Sequence, residues 1–252
     1  MIRSETRERI LRIELARPEK KNALTAEMYR LMADALAGAE ADPQVRAVLI
    51  HGAPDCFSSG NDVQDFLDVR REPGTSPAQG FMRAISTARK PVVAAVGGPA
   101  VGIGTTMLLH CDLVYAAPNA RFLLPFVPLG LVPELASTLL LPMLAGYQRA
   151  AELLLLGQPF TADKAREAGI VTEVVPVENL MARARDAALA LAALPPASVQ
   201  LTKGLLKQRY AQAVSERITE ELRVFGERLR SPEAREAVTA FLEKRKPDFS
   251  RF

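Results

Sequence analysis

The spacing of apolar residues predicts a strand, a helix and a second strand in the first fifty residues. Apolar and polar residues alternate over residues 11–15 and are followed by Pro18, which is typical of a half-buried strand that ends in a turn. Thr25 then stands where a helix N-cap is expected, before a helical pattern that runs to about Ala41. Residues 45–50 form a short apolar run that indicates the second strand.

The same alternation continues in the middle of the chain. Residues 92–96 are a continuous apolar run suited to a strand that is buried on both faces, and residues 113–116 predict another strand. Between them, a glycine-rich turn at residues 97–104 leads into a helix that we expect to end near His110. Strand, glycine turn and helix thus recur, which predicts an α/β fold.

One stretch has the composition of a loop. Residues 71–79 contain two prolines, a glycine and several small polar residues, and they are candidates for a mobile flap over a site. Short helices are predicted on either side, near residues 63–69 and 81–88.

Helical patterns dominate the C-terminal part of the chain. Strand signals fade from Leu180 onward, and the pair Pro195-Pro196 marks a boundary. We therefore expect a core domain at residues 1–195 and a helical subdomain at residues 196–252.

Composition and charge narrow the range of functions. The 252 residues are 48% hydrophobic and 24% charged, as in an ordinary globular protein with one substantial core. The net charge of +3 is spread along a chain without Trp, so we expect no nucleic-acid partner. Apolar runs such as residues 153–156 are too short to span a bilayer, so we expect no membrane partner. The chain starts without a signal-type segment and ends in S-R-F rather than the peroxisomal S-K-L, so we expect a cytoplasmic location.

The cysteines and histidines give little support to hydrolase or metal chemistry. Cys56 and Cys111 lack metal-ligand spacing, and we expect both to be reduced core thiols. His51 and His110 each lie at the end of an apolar segment, and we expect both to be structural. No metal site is predicted.

Two glycine-containing loops are candidates for holding a negative charge. Residues 97–104 do not match a dinucleotide fingerprint, because Met107 stands where the third glycine is needed, and they lack the Gly-Lys-Ser/Thr of a P-loop. They fit an anion or oxyanion site made of backbone N–H groups, or equally a tight turn without a ligand. Residues 58–62 have the same character, and the simplest role for Asp62 is a helix cap. Amides of the two loops could converge on one oxygen.

The segment P-F-V-P-L-G-L-V-P-E-L-A-S contains an isolated acid. Glu134 is the sole acidic residue between Arg121 and Arg149, and its neighbours are apolar. Burial of an unpaired carboxyl is costly and raises its pKa, which suits a catalytic base. The alternative is that Glu134 caps a helix that begins near Leu135.

Taken together, these segments resemble the crotonase superfamily of enoyl-CoA hydratases and isomerases. The motifs that carry the resemblance are A-R-P-E-K-K-N-A-L, F-S-S-G-N-D-V, G-P-A-V-G-I-G-T-T-M-L-L-H-C-D-L-V-Y-A and T-A-D-K-A-R-E-A-G-I-V-T-E-V-V-P. The resemblance implies a spiral of ββα units with C-terminal helices that mediate a homotrimer, and trimers that pair into hexamers. It also implies an oxyanion hole formed by the N–H groups of Asn61 and Ile103. The residues that match the family's coenzyme A groove are Lys21, Ala23, Leu24, Ser59, Gly60, Asp62 and Val63.

Within this superfamily the resemblance points to an isomerase. The two glutamates of the hydratases match Thr106 and Phe126, neither of which can transfer a proton at neutral pH. Glu134 instead matches the catalytic base of Δ3,Δ2-enoyl-CoA isomerases of the peroxisomal type. We therefore expect an acyl-CoA substrate in fatty acid or related degradation, with coenzyme A as part of the substrate and no separate cofactor.

Other interpretations remain open at this stage. One is hydration or another acyl-CoA reaction of the same superfamily, and another is a non-catalytic acyl-CoA-binding scaffold. The side chains expected either to wall an acyl pocket or to pack in the core are Phe81, Met82, Phe126 and Leu129.

Overall fold

A central, mostly parallel sheet organises the protein. The computed structural model describes residues 1–62 and 76–252, and within these ranges six strands form one sheet in the order β1-β2-β3-β4-β6-β9. Strands β1 and β2 pair antiparallel, and the other neighbours pair parallel. The strands are β1 (Ile2–Arg7), β2 (Ile10–Leu15), β3 (Ala47–His51), β4 (Val92–Val96), β6 (Leu113–Ala116) and β9 (Glu173–Val174). The predicted α/β fold is confirmed.

Helices cover both faces of this sheet. Helices α1 (Ala26–Ala41) and α2 (Pro77–Ser86) pack in the larger core cluster on one face, and α7 (Leu180–Ala193) packs on the other. Every residue of β3 and β4 is buried as a result, which explains their continuous apolar sequences. Thr25 caps α1 by accepting a hydrogen bond from the Met28 N–H, as predicted.

A second, smaller sheet lies beside the first. It contains β5 (Pro99–Val101), β7 (Arg121–Leu123) and β8 (Phe160–Thr161) in the order β5-β7-β8. Helix α3 (Ile103–Thr106) follows β5 directly, and one turn of 3₁₀ helix, Met107–His110, continues it. This short helix leads from the second glycine loop into the core.

The C-terminal part is helical, as the sequence predicts, and it packs on the core. The remaining described helices are α4 (Ser137–Ala145), α5 (Tyr147–Leu156), α6 (Ala162–Glu167), α8 (Pro196–Gln208), α9 (Ala211–Leu229) and α10 (Pro232–Leu242). Helices α9 and α10 contribute Leu222, Phe225 and Ala234 to the main core cluster or its margin. The division at residue 195 remains a prediction, although α8 does begin at Pro196.

Two predicted boundaries are wrong, and a third is shifted by two residues. The glycine-rich turn at residues 97–104 contains strand β5, because its backbone pairs with β7. The loop predicted to run to residue 79 gives way to α2 at Pro77, where proline is favoured in a first helical turn and Ser76 provides the N-cap. The helix expected to begin near Leu135 begins at Ser137. The predicted helix at residues 63–69 and most of the predicted flap lie outside the described residues.

No single helix in the described ranges is long and apolar enough to cross a bilayer. Residues 177–193 and 196–208 have the combined length and apolar composition of a span, but they form a pair bent by 108°.

Candidate active site

Glu134 is a buried carboxyl with one oxygen held and the other free. The residue is 3% exposed, and its Oε1 accepts a hydrogen bond of 2.5 Å from the Thr106 hydroxyl. Its Oε2 is buried without a hydrogen-bond partner in the described part of the protein. Buried carboxyl oxygens without a hydrogen-bond partner are rare in folded proteins, and buried carboxyls with a perturbed pKa are enriched at functional sites.

The surroundings of Glu134 favour its neutral form. Burial raises its pKa to about 8, the negative charge of Glu221 acts in the same direction, and the Thr106 hydrogen bond opposes both. Such a pKa lies near neutral pH, where a group can accept and return a proton with little energetic penalty.

An unusual turn fixes the backbone after Glu134. Leu135 and Ala136 both have left-handed backbones, with φ of 58° and 56°, a conformation that costs a residue with a side chain roughly 1–2 kcal/mol. The Glu134 carbonyl accepts hydrogen bonds from the Ser137 N–H at 3.2 Å and the Ser137 hydroxyl at 2.7 Å. Helix α4 begins only after this turn, at Ser137.

The alternative role of Glu134 as a helix cap is therefore wrong. The first amides of α4 donate to a different carboxylate, that of Glu221 on α9, at 2.6 Å from the Ala136 nitrogen and 3.0 Å from the Thr138 nitrogen. Because these amides already have an acceptor, the Glu134 side chain is left to point toward Thr106.

The two glycine loops lie side by side. Ser58 and Ala100 form a parallel bridge, and the Val101 N–H donates to the Ser58 carbonyl at 2.9 Å. Gly60 has φ of 90°, and a Cβ built there would lie 2.9 Å from the Val101 carbonyl oxygen. Gly104 is constrained less severely, since its Cβ would lie 3.1 Å from that of Ser58. Close approach of the two backbones, rather than turn geometry alone, requires these glycines.

Glu134 is in contact with the helix that starts at the second glycine loop. Ile103 is the first residue of α3, and Thr106, three residues later, holds the Glu134 carboxyl. Ile103 and Thr106 are thus one turn apart on one short helix. Among the described residues, the N–H groups of Asn61 and Ile103 have no backbone acceptor, so they remain candidates for the oxyanion hole.

The residues expected to line a coenzyme A groove come together from two segments. The Ser59 N–H donates to the Lys21 carbonyl, the Leu24 N–H donates to the Gly60 carbonyl, and the Asp62 N–H donates to the Leu24 carbonyl, all at 2.8–2.9 Å. Lys21 is exposed, and Ala23 and Ser59 are partly exposed. The predicted helix that Asp62 would cap lies outside the described residues, as does Val63. The Asp62 carboxylate accepts a hydrogen bond from Arg17 at 2.6 Å.

Sequence reasoning did not assign roles to two side chains that brace these segments. Buried Asn22 donates from its side-chain amide to the carbonyls of Cys56 and Phe57 and accepts from the Arg17 N–H. The Tyr29 hydroxyl donates to the side-chain oxygen of Asn61. A positive φ of 54° at Asn22 suits asparagine, but no sequence pattern reveals which loop it will contact.

The histidines and cysteines have the structural character that the sequence predicts. Burial lowers the pKa of His110 to about 4, so its ring is neutral and its Nε2–H donates to the Leu135 carbonyl at 2.9 Å. His51 contacts the Gly52 carbonyl through Nδ1. Both cysteines are free, and burial raises the pKa of Cys111 to about 12 and that of Cys56 above its usual value. Where the chain is described, no three His, Cys, Asp or Glu side chains cluster as a metal site would require.

Comparison with known proteins agrees with this architecture. The family model described as enoyl-CoA hydratase/isomerase matches residues 5–251. The chain is 35% identical to 1,2-epoxyphenylacetyl-CoA isomerase of Escherichia coli K12, over 96% of this chain and 95% of that protein. It is 36% identical to rat enoyl-CoA delta isomerase 2, over 94% of this chain and 62% of that protein. An enoyl-CoA hydratase/isomerase structure from Pseudoalteromonas atlantica T6c superposes with a TM-score of 0.95 at 43% identity, covering 99% of each chain.

The chain belongs to the enoyl-CoA hydratase/isomerase family and has the crotonase fold. It is therefore an enzyme of the crotonase superfamily, which acts on acyl-CoA substrates as hydratase or isomerase. The resemblance seen in its sequence motifs is confirmed.

Proposed function

We propose that the enzyme converts 3-enoyl-CoA to trans-2-enoyl-CoA, with Glu134 as the acid–base group. The observation that carries this proposal is the Glu134 carboxyl itself: it is buried, has one oxygen without a partner among the described residues, and is held by Thr106 on the helix that begins at Ile103. A single base in this position suits a reaction that moves one proton between two carbons of the same substrate.

The reaction begins with removal of a proton. In a 3-enoyl-CoA, the C2–H bond is acidified by the thioester carbonyl and by the adjacent double bond. The Glu134 carboxylate takes this proton, and the electron pair of the C2–H bond delocalises into a dienolate whose charge lies largely on the thioester oxygen. The N–H groups of Asn61 and Ile103 would donate to that oxygen, and the loss of one such donor costs other enzymes roughly 2.7–4 kcal/mol.

The reaction ends when the same carboxyl returns the proton. Protonation at C4 re-forms the thioester carbonyl and leaves the double bond between C2 and C3. Glu134 is again ionised, and neither water nor an external oxidant or reductant enters the balance. A raised pKa supports both halves of the cycle, because the carboxyl must act first as a base and then as an acid.

Hydration is less well supported by the site. A hydratase must activate water and deliver a proton to carbon, and its two glutamates match Thr106 and Phe126 here. Phe126 is 5% exposed within the core cluster, and the Thr106 hydroxyl is engaged by Glu134. Glu134 is left as the acid at this place in the described structure.

The substrate groove is proposed on the two segments that contain Lys21 and Ser59. Lys21 is exposed and carries a positive charge, which suits a phosphate of coenzyme A. Four side chains were expected to wall an acyl pocket or pack in the core: Phe81, Met82 and Phe126 are at most 5% exposed and belong to the core cluster, and Leu129 packs against it.

The test offers purified enzyme two substrates. With 3-enoyl-CoA we expect the absorbance of the conjugated enoyl thioester to appear, and with trans-2-enoyl-CoA we expect little loss of it. Rapid loss of that absorbance from trans-2-enoyl-CoA would instead identify a hydratase. Tight binding of both thioesters, with no change in absorbance and no exchange of the C2 proton in deuterated solvent, would identify a non-catalytic scaffold.

A further inference from the structure

Glu221 is a second buried carboxylate, supplied by the C-terminal helix α9. It is 5% exposed, and its oxygens accept hydrogen bonds from the Ala136 N–H at 2.6 Å and the Thr138 N–H at 3.0 Å. Its Oε1 also accepts from the Thr138 hydroxyl at 2.5 Å. Three donors to one carboxyl form the pattern expected for an ionised group.

These hydrogen bonds hold the residues that follow Glu134. Ala136 is the second residue of the left-handed turn and directly precedes α4, so its N–H would otherwise be one of the unpaired donors at a helix N-terminus. A carboxylate there satisfies two such donors and interacts favourably with the helix dipole. Glu221 thereby stabilises a turn whose own backbone conformation is unfavourable.

His110 holds the same turn through a separate hydrogen bond. Its neutral ring donates to the Leu135 carbonyl at 2.9 Å. The turn at Leu135–Ala136 is therefore held at the Leu135 carbonyl by His110, which lies in the core, and at the Ala136 amide by Glu221, which lies on α9.

Resting on the function proposed above, we propose that Glu221 is a positioning residue for the base: it fixes the turn at Leu135–Ala136 and so holds the Glu134 carboxyl against Thr106. The C-terminal helical region then contributes directly to the catalytic geometry. Because catalysis depends on placement to well within 1 Å, release of this turn is expected to affect turnover more than substrate binding.

The charge of Glu221 has a second consequence. Its negative charge is one of the causes that raise the pKa of Glu134. Burial raises the pKa of Glu221 itself, whereas the Thr138 and Ala136 donors at the start of α4 and Arg217 on the same helix oppose this shift and favour its ionised form. Thr106 and the neutral His110 face Glu134 and its turn. Removal of the Glu221 charge should therefore lower the pKa of Glu134.

The test compares Glu221→Gln with Glu216→Gln, an exposed glutamate earlier on α9. Glu221→Gln replaces one carboxylate oxygen by an N–H₂ group, which cannot accept a hydrogen bond, so at least one of the hydrogen bonds from Ala136 and Thr138 is lost. We expect kcat for 3-enoyl-CoA to fall at least about tenfold with KM within about twofold, and the midpoint of the kcat–pH profile to move to lower pH. Glu216→Gln should match wild type in both.

Thr138→Val separates position from charge and guards against a variant that fails to fold. It removes one donor and keeps the Glu221 carboxylate, so we expect a smaller fall in kcat with an unchanged pH midpoint. Folded Glu221→Gln and Thr138→Val that lose stability but keep wild-type kcat and pH profile would overturn the proposal, because Glu221 would then be purely structural.

A titration without substrate keeps this inference distinct from the proposed function. The Glu134 carboxyl is followed by ¹³C NMR in wild type and Glu221→Gln, and is assigned with Glu134→Gln. If wild type does not isomerise 3-enoyl-CoA, the proposed reaction is wrong, yet a downward shift of the Glu134 pKa in Glu221→Gln still supports the influence of Glu221 on Glu134. An unchanged Glu134 pKa in Glu221→Gln overturns the role proposed for Glu221, whatever the substrate.

Discussion

At the scale of single residues, burial of Glu134 is unfavourable for the stability of the fold. Its Oε2 has no partner in the described structure, and its Oε1 depends on one threonine hydroxyl. By the sequence resemblance, Thr106 matches the position of a hydratase glutamate, and here its hydroxyl donates a hydrogen bond to Glu134. The hydroxyl makes the remaining carboxylate easier to ionise.

The pH dependence of turnover should report this environment. Because the base must be ionised, kcat is expected to rise with pH through a midpoint near the Glu134 pKa of about 8. Thr106→Val removes the contact that lowers this pKa, so its midpoint should lie at higher pH. Thr87→Val, at an exposed position after α2, serves as the control. A Thr106→Val profile that matches wild type would contradict the role given to this hydroxyl.

The free energy of unfolding should fall over the pH range in which turnover rises, because both depend on the ionisation of Glu134. The pKa of Glu134 rises from 4.5 to about 8 on folding, so its neutral form is favoured in the folded state. The contribution of neutral Glu134 to the free energy of unfolding is complete below pH 4.5 and is lost as pH rises from 4.5 to about 8. Glu134→Gln stays neutral throughout, so its free energy of unfolding should exceed that of wild type increasingly over this interval, by up to about 5 kcal/mol. Urea denaturation at pH 5 and pH 8.5 measures the difference; equal stability of the two proteins at pH 8.5 would contradict it.

At the scale of elements, the site depends on two backbones that pass close together. Gly60 lies in a left-handed conformation against the Val101 carbonyl, immediately before Asn61. Its place is set by strand β5, to which the Ser58 loop is bridged, and by the Leu24 N–H, which donates to the Gly60 carbonyl. Displacement of either backbone would separate the two amides proposed to hold the thioester oxygen.

Gly60→Ala tests this dependence. The added Cβ meets a backbone oxygen at 2.9 Å and an unfavourable φ, so we expect a loss of about 1–3 kcal/mol in unfolding free energy. We also expect kcat to fall at least about tenfold, toward the roughly 10²–10³-fold effect of losing one oxyanion donor. Gly38→Ala, inside α1 with nothing within 4 Å of its Cβ, should instead stabilise by about 0.5–1 kcal/mol and leave kcat unchanged. Urea denaturation and the isomerase assay measure both; wild-type kcat in Gly60→Ala would count against the paired-loop site.

Local patterns explain why some of these elements are predictable from sequence. The strand at residues 92–96 and the helix capped by Thr25 follow from periodicity and capping, which depend on neighbouring residues alone. Strand β5 does not, because its three residues become a strand only by pairing with β7, twenty residues later. The left-handed Leu135–Ala136 turn contradicts local propensity and exists because His110 and Glu221 hold it.

The residues of the candidate site were likewise predictable only where the local sequence signals them. Glu134 stood out because a lone acid among apolar residues is conspicuous in any sequence. Glu221 gave no such signal, since it is one of many charged residues on an amphipathic helix and is 85 residues from the Ala136 amide that it binds. The partners of Glu134 thus depend on tertiary packing that a single sequence does not encode locally.

At the scale of the whole molecule, the described surface retains large apolar side chains that a globular protein normally covers. Helix α8 exposes Leu201, Leu205 and Leu206 by 69–74%, and the neighbouring pair α4 and α5 exposes others, namely Met143, Leu144, Tyr147, Leu155 and Leu156. Apolar groups in such number favour contact between protein surfaces. We propose that these helices form the homotrimer, or the hexamer of paired trimers, that the sequence resemblance predicts.

Sedimentation equilibrium tests the assembly. We expect a mass about three or six times 27.4 kDa, and we expect Leu205→Asp to reduce it by placing a charge in the contact. Gln212→Glu, a charge change at an exposed site on α9, is the control. A wild-type mass of one chain at micromolar concentration would contradict the proposed assembly.

The most direct test of the account is exchange of the C2 proton of a 3-enoyl-CoA in deuterated solvent, followed by NMR in wild type and Glu134→Gln. The variant keeps the shape of the side chain and the Thr106 hydrogen bond but cannot accept a proton. We expect isomerisation and C2 exchange to fall together by at least about 10²-fold, with binding of coenzyme A thioesters unchanged. Wild-type rates of exchange and isomerisation in Glu134→Gln would contradict the central claim that this buried carboxyl moves the proton.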